Sequence, residues 1–231
     1  LVKDGGVTRL QLAPSILTAD FARLGEEVTS VAPFVDWFHL DVMDGHYVPN
    51  LTFGPDIVAA LRRVSEVPFH VHLMIEDPLA YVERFAAAGA NRLSFHPEVV
   101  DDASKVIEGI RRAGIGVGIA VHPDVAVEGI EGYLAEADVV LMMTVRPGFG
   151  GQSFLPEVVP KIAQVRSMVE AQALGADVEV DGGINLDTVS SAVEAGANIV
   201  VAGSAIFDGV DAPAAAKRLR GCLDDLRKEQ V

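Results

Sequence analysis

"PFHVHLMIEDPLAYVERFAAAGANRLSFH" spans residues 68–96. From Phe69 to Met74, apolar and imidazole side chains alternate, which is the period of a strand whose two faces differ. Phe69, Val71 and Leu73 share one face; His70, His72 and Met74 share the other. The segment "DPLAYVERFAAAG" (77–89) then switches to helical spacing and ends on Ala88-Gly89. A glycine just past a helix adopts left-handed backbone angles at little cost and stops it. "NRLSFH" (91–96) returns to strand character. Strand, helix and strand in so short a stretch make a crossover unit, which implies parallel strands.

The same punctuation runs along the chain. Further strand candidates lie at 9–17, 35–43, 114–121, 138–145, 176–183 and 197–204. Helical spacing recurs over 156–175 and 185–196, with Ala-Gly stops at Ala113-Gly114 and Ala195-Gly196. Eight strand and helix units in somewhat less than about 250 residues fit a (β/α)8 TIM barrel. The competing architecture, a doubly wound open sheet, carries a glycine-rich fingerprint after its first strand. Here that strand runs into "PSILTAD", without a glycine. No linker or low-complexity block interrupts the alternation. The expectation is therefore a lead-in over 1–8 and one barrel domain over 9–231.

Composition narrows the function. The chain has 231 residues, half of them hydrophobic, and a formal charge of −15. That charge argues against nucleic acid, whose phosphates reward Lys and Arg. It leaves room for a small phosphorylated ligand held by backbone N–H groups. No apolar run approaches the roughly 20 residues of a membrane span. One cysteine, Cys222, excludes an internal disulfide and a cysteine-based zinc cage. The leading "LVKDGGVTRLQL" lacks the features of a secretory signal. A cytoplasmic protein without membrane partner is expected.

In this architecture catalytic groups gather at the C-terminal ends of the strands. The second strand offers His39, Asp41 and Met43, the third His72 and Met74, the sixth Met143, and the seventh Asp181. Ser15 ends the first. Two imidazoles and two carboxylates meeting at one level suit a borderline divalent ion such as zinc, iron(II), manganese or cobalt. Hydrogen-bonded core pairs are the alternative. His70 sits one layer deeper and reads as a core histidine. Three glycine stretches, "PGFGGQSF" (147–154), "DGGIN" (181–185) and "AGSAIF" (202–207), follow strands six, seven and eight. Loops at these positions form the usual phosphate cradle of the fold. Met43, Met74 and Met143 line the mouth with soft, water-poor surface, although core filling is the ordinary use of such residues.

The motifs "LAPSILTADF", "FHLDVMDGHYVPNLTFGP", "VHLMIEDP", "MTVRPGFGGQSF", "VDGGIN" and "VAGSAIF" closely resemble ribulose-phosphate 3-epimerases. The resemblance runs from about Leu10 into the last helix. It implies a barrel of the ribulose-phosphate-binding type that interconverts D-ribulose 5-phosphate and D-xylulose 5-phosphate. It further implies one divalent metal at His39, Asp41, His72 and Asp181, with Asp41 and Asp181 as the acid–base pair. The resemblance also implies substrate contacts at Ser15, His72, Gly148, Phe149, Gly150, Gly151, Asp181, Gly182, Gly183, Gly203 and Ser204. The resemblance implies a homo-oligomer as well. Asp44, Gly45, His46 and Tyr47 read as a covering or framework loop.

Three positions depart from the family pattern: Arg146 before "PGFGG", His122 in "VHPD", and His70, where an aspartate often stands. Arg146 either reaches the ligand or pairs outward with a surface carboxylate. The departures open the alternative of a six-carbon ketose 6-phosphate, such as allulose 6-phosphate, as substrate. A lyase or decarboxylase would want a lysine at a strand end, and none of the eight carries one.

Overall fold

The computed structural model describes residues 3, 4 and 7–229. Eight strands form one sheet, numbered here β1 Gln11–Pro14, β2 Phe38–Met43, β3 Phe69–Met74 and β4 Arg92–Phe95. They continue as β5 Gly116–Val121, β6 Val139–Met143, β7 Asp177–Asp181 and β8 Ile199–Ala202. Neighbours are all parallel, in the order β1-β8-β7-β6-β5-β4-β3-β2. The ring closes between β1 and β2 through a single parallel bridge, Ser15 to His39, with the N–H groups of Asp36 and Trp37 donating to Leu12 O. This is the expected (β/α)8 barrel. Ahead of it, Lys3–Asp4 pairs antiparallel with Val7–Thr8.

β1, β4, β6, β7 and β8 stop before the ends of their expected ranges, and after β1 and β7 those residues are spent on turning. After Pro14, Ser15 caps a 3₁₀ turn over Ile16–Thr18 by accepting the N–H of Leu17. After Asp181, Gly182 and Gly183 take positive φ values of 124° and 66°. A Cβ on Gly183 would collide with the backbone of Phe154, so only glycine fits.

The α-helices among the described residues are α1 Leu24–Val31, α2 Pro55–Arg62, α3 Val82–Ala88, α4 Ala103–Arg112, α5 Val159–Ala171, α6 Val189–Glu194 and α7 Ala212–Glu229. The link from β5 to β6 departs from the alternation, with a 3₁₀ segment over Val127–Glu136 in place of an α-helix. Gly129 and Gly132 lie within it, and each weakens an α-helix by about 1 kcal/mol relative to alanine. Gly89, Gly114 and Gly196 stop α3, α4 and α6 with φ of 101°, 75° and 109°.

Packing follows from the alternation. Phe38, Leu40, Val42, Phe69, Val71 and Leu73 point outward and form the main core with the helices. Burying each contributes roughly 1.5–3 kcal/mol. The intervening residues point into the barrel, where the chemistry is.

Candidate active site

Strand register assembles the site. Asp41 stands beside His72 and His39 beside His70 across β2 and β3. Met143 stands beside Asp181 across β6 and β7. His39 Nε2 lies 3.2 Å from Asp41 Oδ1 and 3.7 Å from Asp181 Oδ2. His72 Nδ1 lies 3.2 Å from Asp41 Oδ1 and 4.0 Å from Asp181 Oδ2. One ligand atom from each of these four residues falls within 4.8 Å of all the others.

His39 Nε2 is buried and has no hydrogen-bond partner, although carboxylate oxygens lie beside it. An imidazole nitrogen in that position is costly unless something else satisfies it. A cation among the four donors does so, and two imidazoles with two carboxylates are a donor set that divalent ions accept. The residues fit a metal ion.

The two carboxylates differ electrostatically. Burial tends to raise both. His39 and His72 overcome it at Asp41 and hold that carboxyl well below the usual range. Ser15 Oγ donates to Asp41 Oδ2 at 2.6 Å. Asp181 is pushed up to about 7 by burial and then by the charge of Asp41. One of the pair is therefore ionised while the other holds a proton near neutrality. Burial lowers the two histidines, pulling His72 down to about 3. At His39 the charge of Asp41, with Glu179 and Asp181, outweighs burial and raises it.

One layer deeper, Glu179 is almost fully buried. Its Oε1 lies 3.0 Å from His39 Nδ1 and its Oε2 2.8 Å from His70 Nδ1, while His70 Nε2 meets Ser94 Oγ at 2.5 Å. His70 is thus a hydrogen-bonded interior histidine. With His39 and Glu179 it also forms a second close group of possible ligands.

Above the four residues a cleft opens. Its wall includes Ser15, Asp41, Asp181, Met43, Met74 and Met143, together with Gly148, Phe149, Gly150, Gly151, Gly182, Gly183, Gly203 and Ser204. The three glycine stretches share this wall, as their places after β6, β7 and β8 require. His39 and His72 are fully buried and do not line it. Of the residues expected at the substrate, His72 alone stands off the cleft. Arg146 and His122 are absent from the wall as well. Arg146 Nη2 pairs with Asp124 Oδ1 at 3.2 Å, and His122 Nδ1 accepts the Asp124 N–H at 3.1 Å. In the loop after β2, Asp44 Oδ1 accepts the N–H groups of His46 and Tyr47. His46 itself is exposed.

Sequence reading passed over Glu179, His96, Glu98 and Thr18. Glu179 was legible in outline, being two residues before Asp181 on the same strand face. Thr18, whose buried Oγ1 lacks a partner at the cleft wall, sits in an irregular turn that carries no periodic signal.

A family model described as the ribulose-phosphate 3 epimerase family matches residues 11–207. The chain belongs to the ribulose-phosphate 3-epimerase family. Its members are enzymes of the isomerase class. Over 209 residues the chain is 48% identical to the ribulose-phosphate 3-epimerase of Mycobacterium leprae, covering 90% of this chain and 93% of the relative. Over 214 residues it is 46% identical to that of Bacillus subtilis, covering 92% and 99%. Among solved structures, KGPDC from Streptococcus mutans superposes with a TM-score of 0.71 at 15% identity, covering 96% of this chain and 98% of that one. That likeness concerns the fold alone. Among the described residues no helix is long and apolar enough to cross a membrane.

Proposed function

We propose that this member of the epimerase family interconverts D-ribulose 5-phosphate and D-xylulose 5-phosphate by moving a proton at C3 between two carboxyl groups. The observation that carries the reading is the pairing of Asp41, held ionised, with Asp181, which retains a proton near neutrality, at the floor of a glycine-lined cleft. Inverting a carbon beside a ketone removes a proton from one face and returns one to the other. Asp41 takes the C3 proton while Asp181 delivers its own to the opposite face. The reverse direction exchanges the roles, and the enediolate between the steps never turns over. Each positioned acid or base contributes about 10²–10⁴-fold. Ser15 fixes the free oxygen of Asp41 in place. Met43, Met74 and Met143 keep water from the intermediate. The N–H groups of the glycine stretches hold the phosphate.

His39, Asp41, His72 and Asp181 are the proposed holders of one divalent ion, with zinc, iron(II), manganese and cobalt all compatible with the donor set. When bound, such an ion stabilises negative charge developing on the sugar oxygens. Arg146 pairs with Asp124 off the cleft wall, so this departure leaves the lining of the cleft unaltered, and the five-carbon sugar follows from the family. A homo-oligomer in the cytoplasm completes the proposal, resting on the family resemblance.

Turnover in D2O tests it. Metal-loaded protein should introduce deuterium at C3 of both ketose phosphates and interconvert them. Tight sugar-phosphate binding without exchange would replace the enzyme reading by a binding one.

A further inference from the structure

His72 makes a contact that the reaction above does not use. Its Nε2 lies 2.9 Å from Nε2 of His96, the residue just past β4. His96 Nδ1 lies 3.0 Å from Glu98 Oε1. The same oxygen accepts the Tyr47 hydroxyl at 3.0 Å, from the loop after β2. His96 is fully buried, and its ring leans on both neighbours, at centroid distances of 5.1 Å to His72 and 5.0 Å to Tyr47. Asn50 of the same loop donates to Gly148 O at 2.7 Å, so the loop also reaches the glycine stretch after β6.

The far end of this chain favours one direction. A carboxylate only accepts, so His96 Nδ1 donates to Glu98. A neutral imidazole donates through one nitrogen and accepts through the other. His96 Nε2 is then the acceptor and His72 Nε2 the donor. That leaves the lone pair of His72 on Nδ1, the nitrogen facing Asp41 and Asp181. Asp41 pulls the other way, since its Oδ1 lies within hydrogen-bond distance of His72 Nδ1, at 3.2 Å, and favours a proton there unless a cation takes its place. The chain is what opposes that tautomer.

We propose that His96 and Glu98 are positioning residues that lock His72 in the tautomer able to bind a metal, and that Tyr47 couples this lock to the loop beside the cleft. The inference rests on the metal reading of the preceding subsection. Partners of this kind fix the orientation and basicity of ligating histidines. The other ligand has a separate anchor, since His39 Nδ1 meets the buried Glu179. The two anchors differ in access. Glu179 is sealed in the barrel, whereas the Glu98 side chain keeps 30% of its exposure and shares its oxygen with a loop residue. Movement of the loop therefore reaches His72 and leaves His39 alone.

Zinc alone is the probe. Its affinity is measured by chelator competition at fixed pH for wild type, Glu98→Ala, Glu98→Gln and Tyr47→Phe, and the imidazole tautomers are read by 15N NMR of the zinc-free and zinc-loaded proteins. Glu98→Ala should bind zinc about 10–100-fold more weakly and show His72 in mixed tautomers without zinc. Glu98→Gln, which keeps an acceptor oxygen, should restore the wild-type tautomer. Tyr47→Phe should lose about 2- to 10-fold, the worth of one partly exposed hydrogen bond. Unchanged affinity in Glu98→Ala, or weaker zinc there with an unchanged His72 pattern, overturns the lock. Should Glu98→Ala fail to fold, Tyr47→Phe removes one surface hydroxyl and decides by itself: unchanged affinity there overturns the coupling. A wild-type chain that takes up no zinc overturns the metal reading, and this inference with it.

Discussion

The inward-facing side chains divide by strand into a polar and an apolar half, with β7 of the polar half lying between β6 and β8 of the other. β2, β3, β4 and β7 turn His39, Asp41, His70, His72, Ser94, Glu179 and Asp181 inward. β1, β5, β6 and β8 contribute Ala13, Ala120, Val139, Leu141, Met143, Ile199 and Val201. Apart from Asp181 at the cleft floor, both sets are buried, but they are held differently. An apolar side chain loses contacts in proportion to what is removed. A buried polar group depends on specific partners, so removing one strands the next. The polar half should fail in steps and the apolar half by degrees.

The sharpest break lies at the carboxylates. Asp41→Asn or Asp181→Asn should each lower kcat about 10²–10⁴-fold, measured in a coupled epimerisation assay, while the KM for the sugar phosphate moves little. Activity within tenfold of wild type in either variant would remove the two-carboxylate basis of the proposal.

The next test compares the halves directly. Glu179→Leu strands His39 and His70 and should cost about 3–5 kcal/mol, as loss of one member of a buried pair does. Leu141→Ala, opposite it across β6 and β7, should cost about 2–5 kcal/mol through its cavity. Similar stabilities hide different sites: Glu179→Leu should weaken zinc binding and Leu141→Ala should not. Acid separates them again. Burial opposes the charge of Glu179, but His70 and His39 hold it below its ordinary 4.5. A depressed carboxylate stabilises the fold above its unfolded value and loses that contribution as pH falls through the folded one. Metal-free wild type should therefore lose more stability below pH 4.5 than Glu179→Leu, read by urea unfolding.

Metal binding has its own pH dependence. A cation competes with the protons on Asp181, raised to about 7, and on His39, raised above 6.5. The loaded form that keeps the Asp181 proton is the one competent for the reaction. Without metal, the raised Asp181 stabilises the fold below its unfolded value and loses that contribution as pH rises through about 7. The rise in Tm on adding zinc should consequently grow as pH is raised through 7 and shrink below it. A zinc-induced shift that is flat across this range would mean that the four residues release no protons, and so do not hold the ion.

What the sequence disclosed follows the same divide. Alternation along one strand is local, so the facing of His39 with Asp41 and of His70 with His72 could be read directly. Glycine stops such as Gly89 were equally local. The partners were not. His70 meets Glu179 across 109 residues and Tyr47 meets Glu98 across 51, pairings that exist only once the barrel closes. Strand ends were overread for a related reason. Ser15, Gly182 and Gly203 continue apolar runs in the sequence, yet their turns are set by caps and close approaches from other loops. The 3₁₀ link after β5 was not anticipated either, because two glycines tip a segment whose apolar spacing alone does not reveal it.

The smallest effect is expected outside both halves. Arg146 and Asp124 pair at the surface, with side chains about three-fifths exposed, and such pairs contribute about 0–1 kcal/mol. His122 is tied to the same aspartate, so two of the departures from the family pattern are satisfied beside the cleft without entering it. Arg146→Asn should leave metal content unchanged by elemental analysis and shift stability by less than about 1 kcal/mol. Its preference between five- and six-carbon ketose phosphates in parallel assays should also match wild type. A changed sugar ratio with intact metal would show that Arg146 leaves Asp124 when substrate binds. The polar machinery would then extend beyond the strands to a side chain the resting structure holds at the surface.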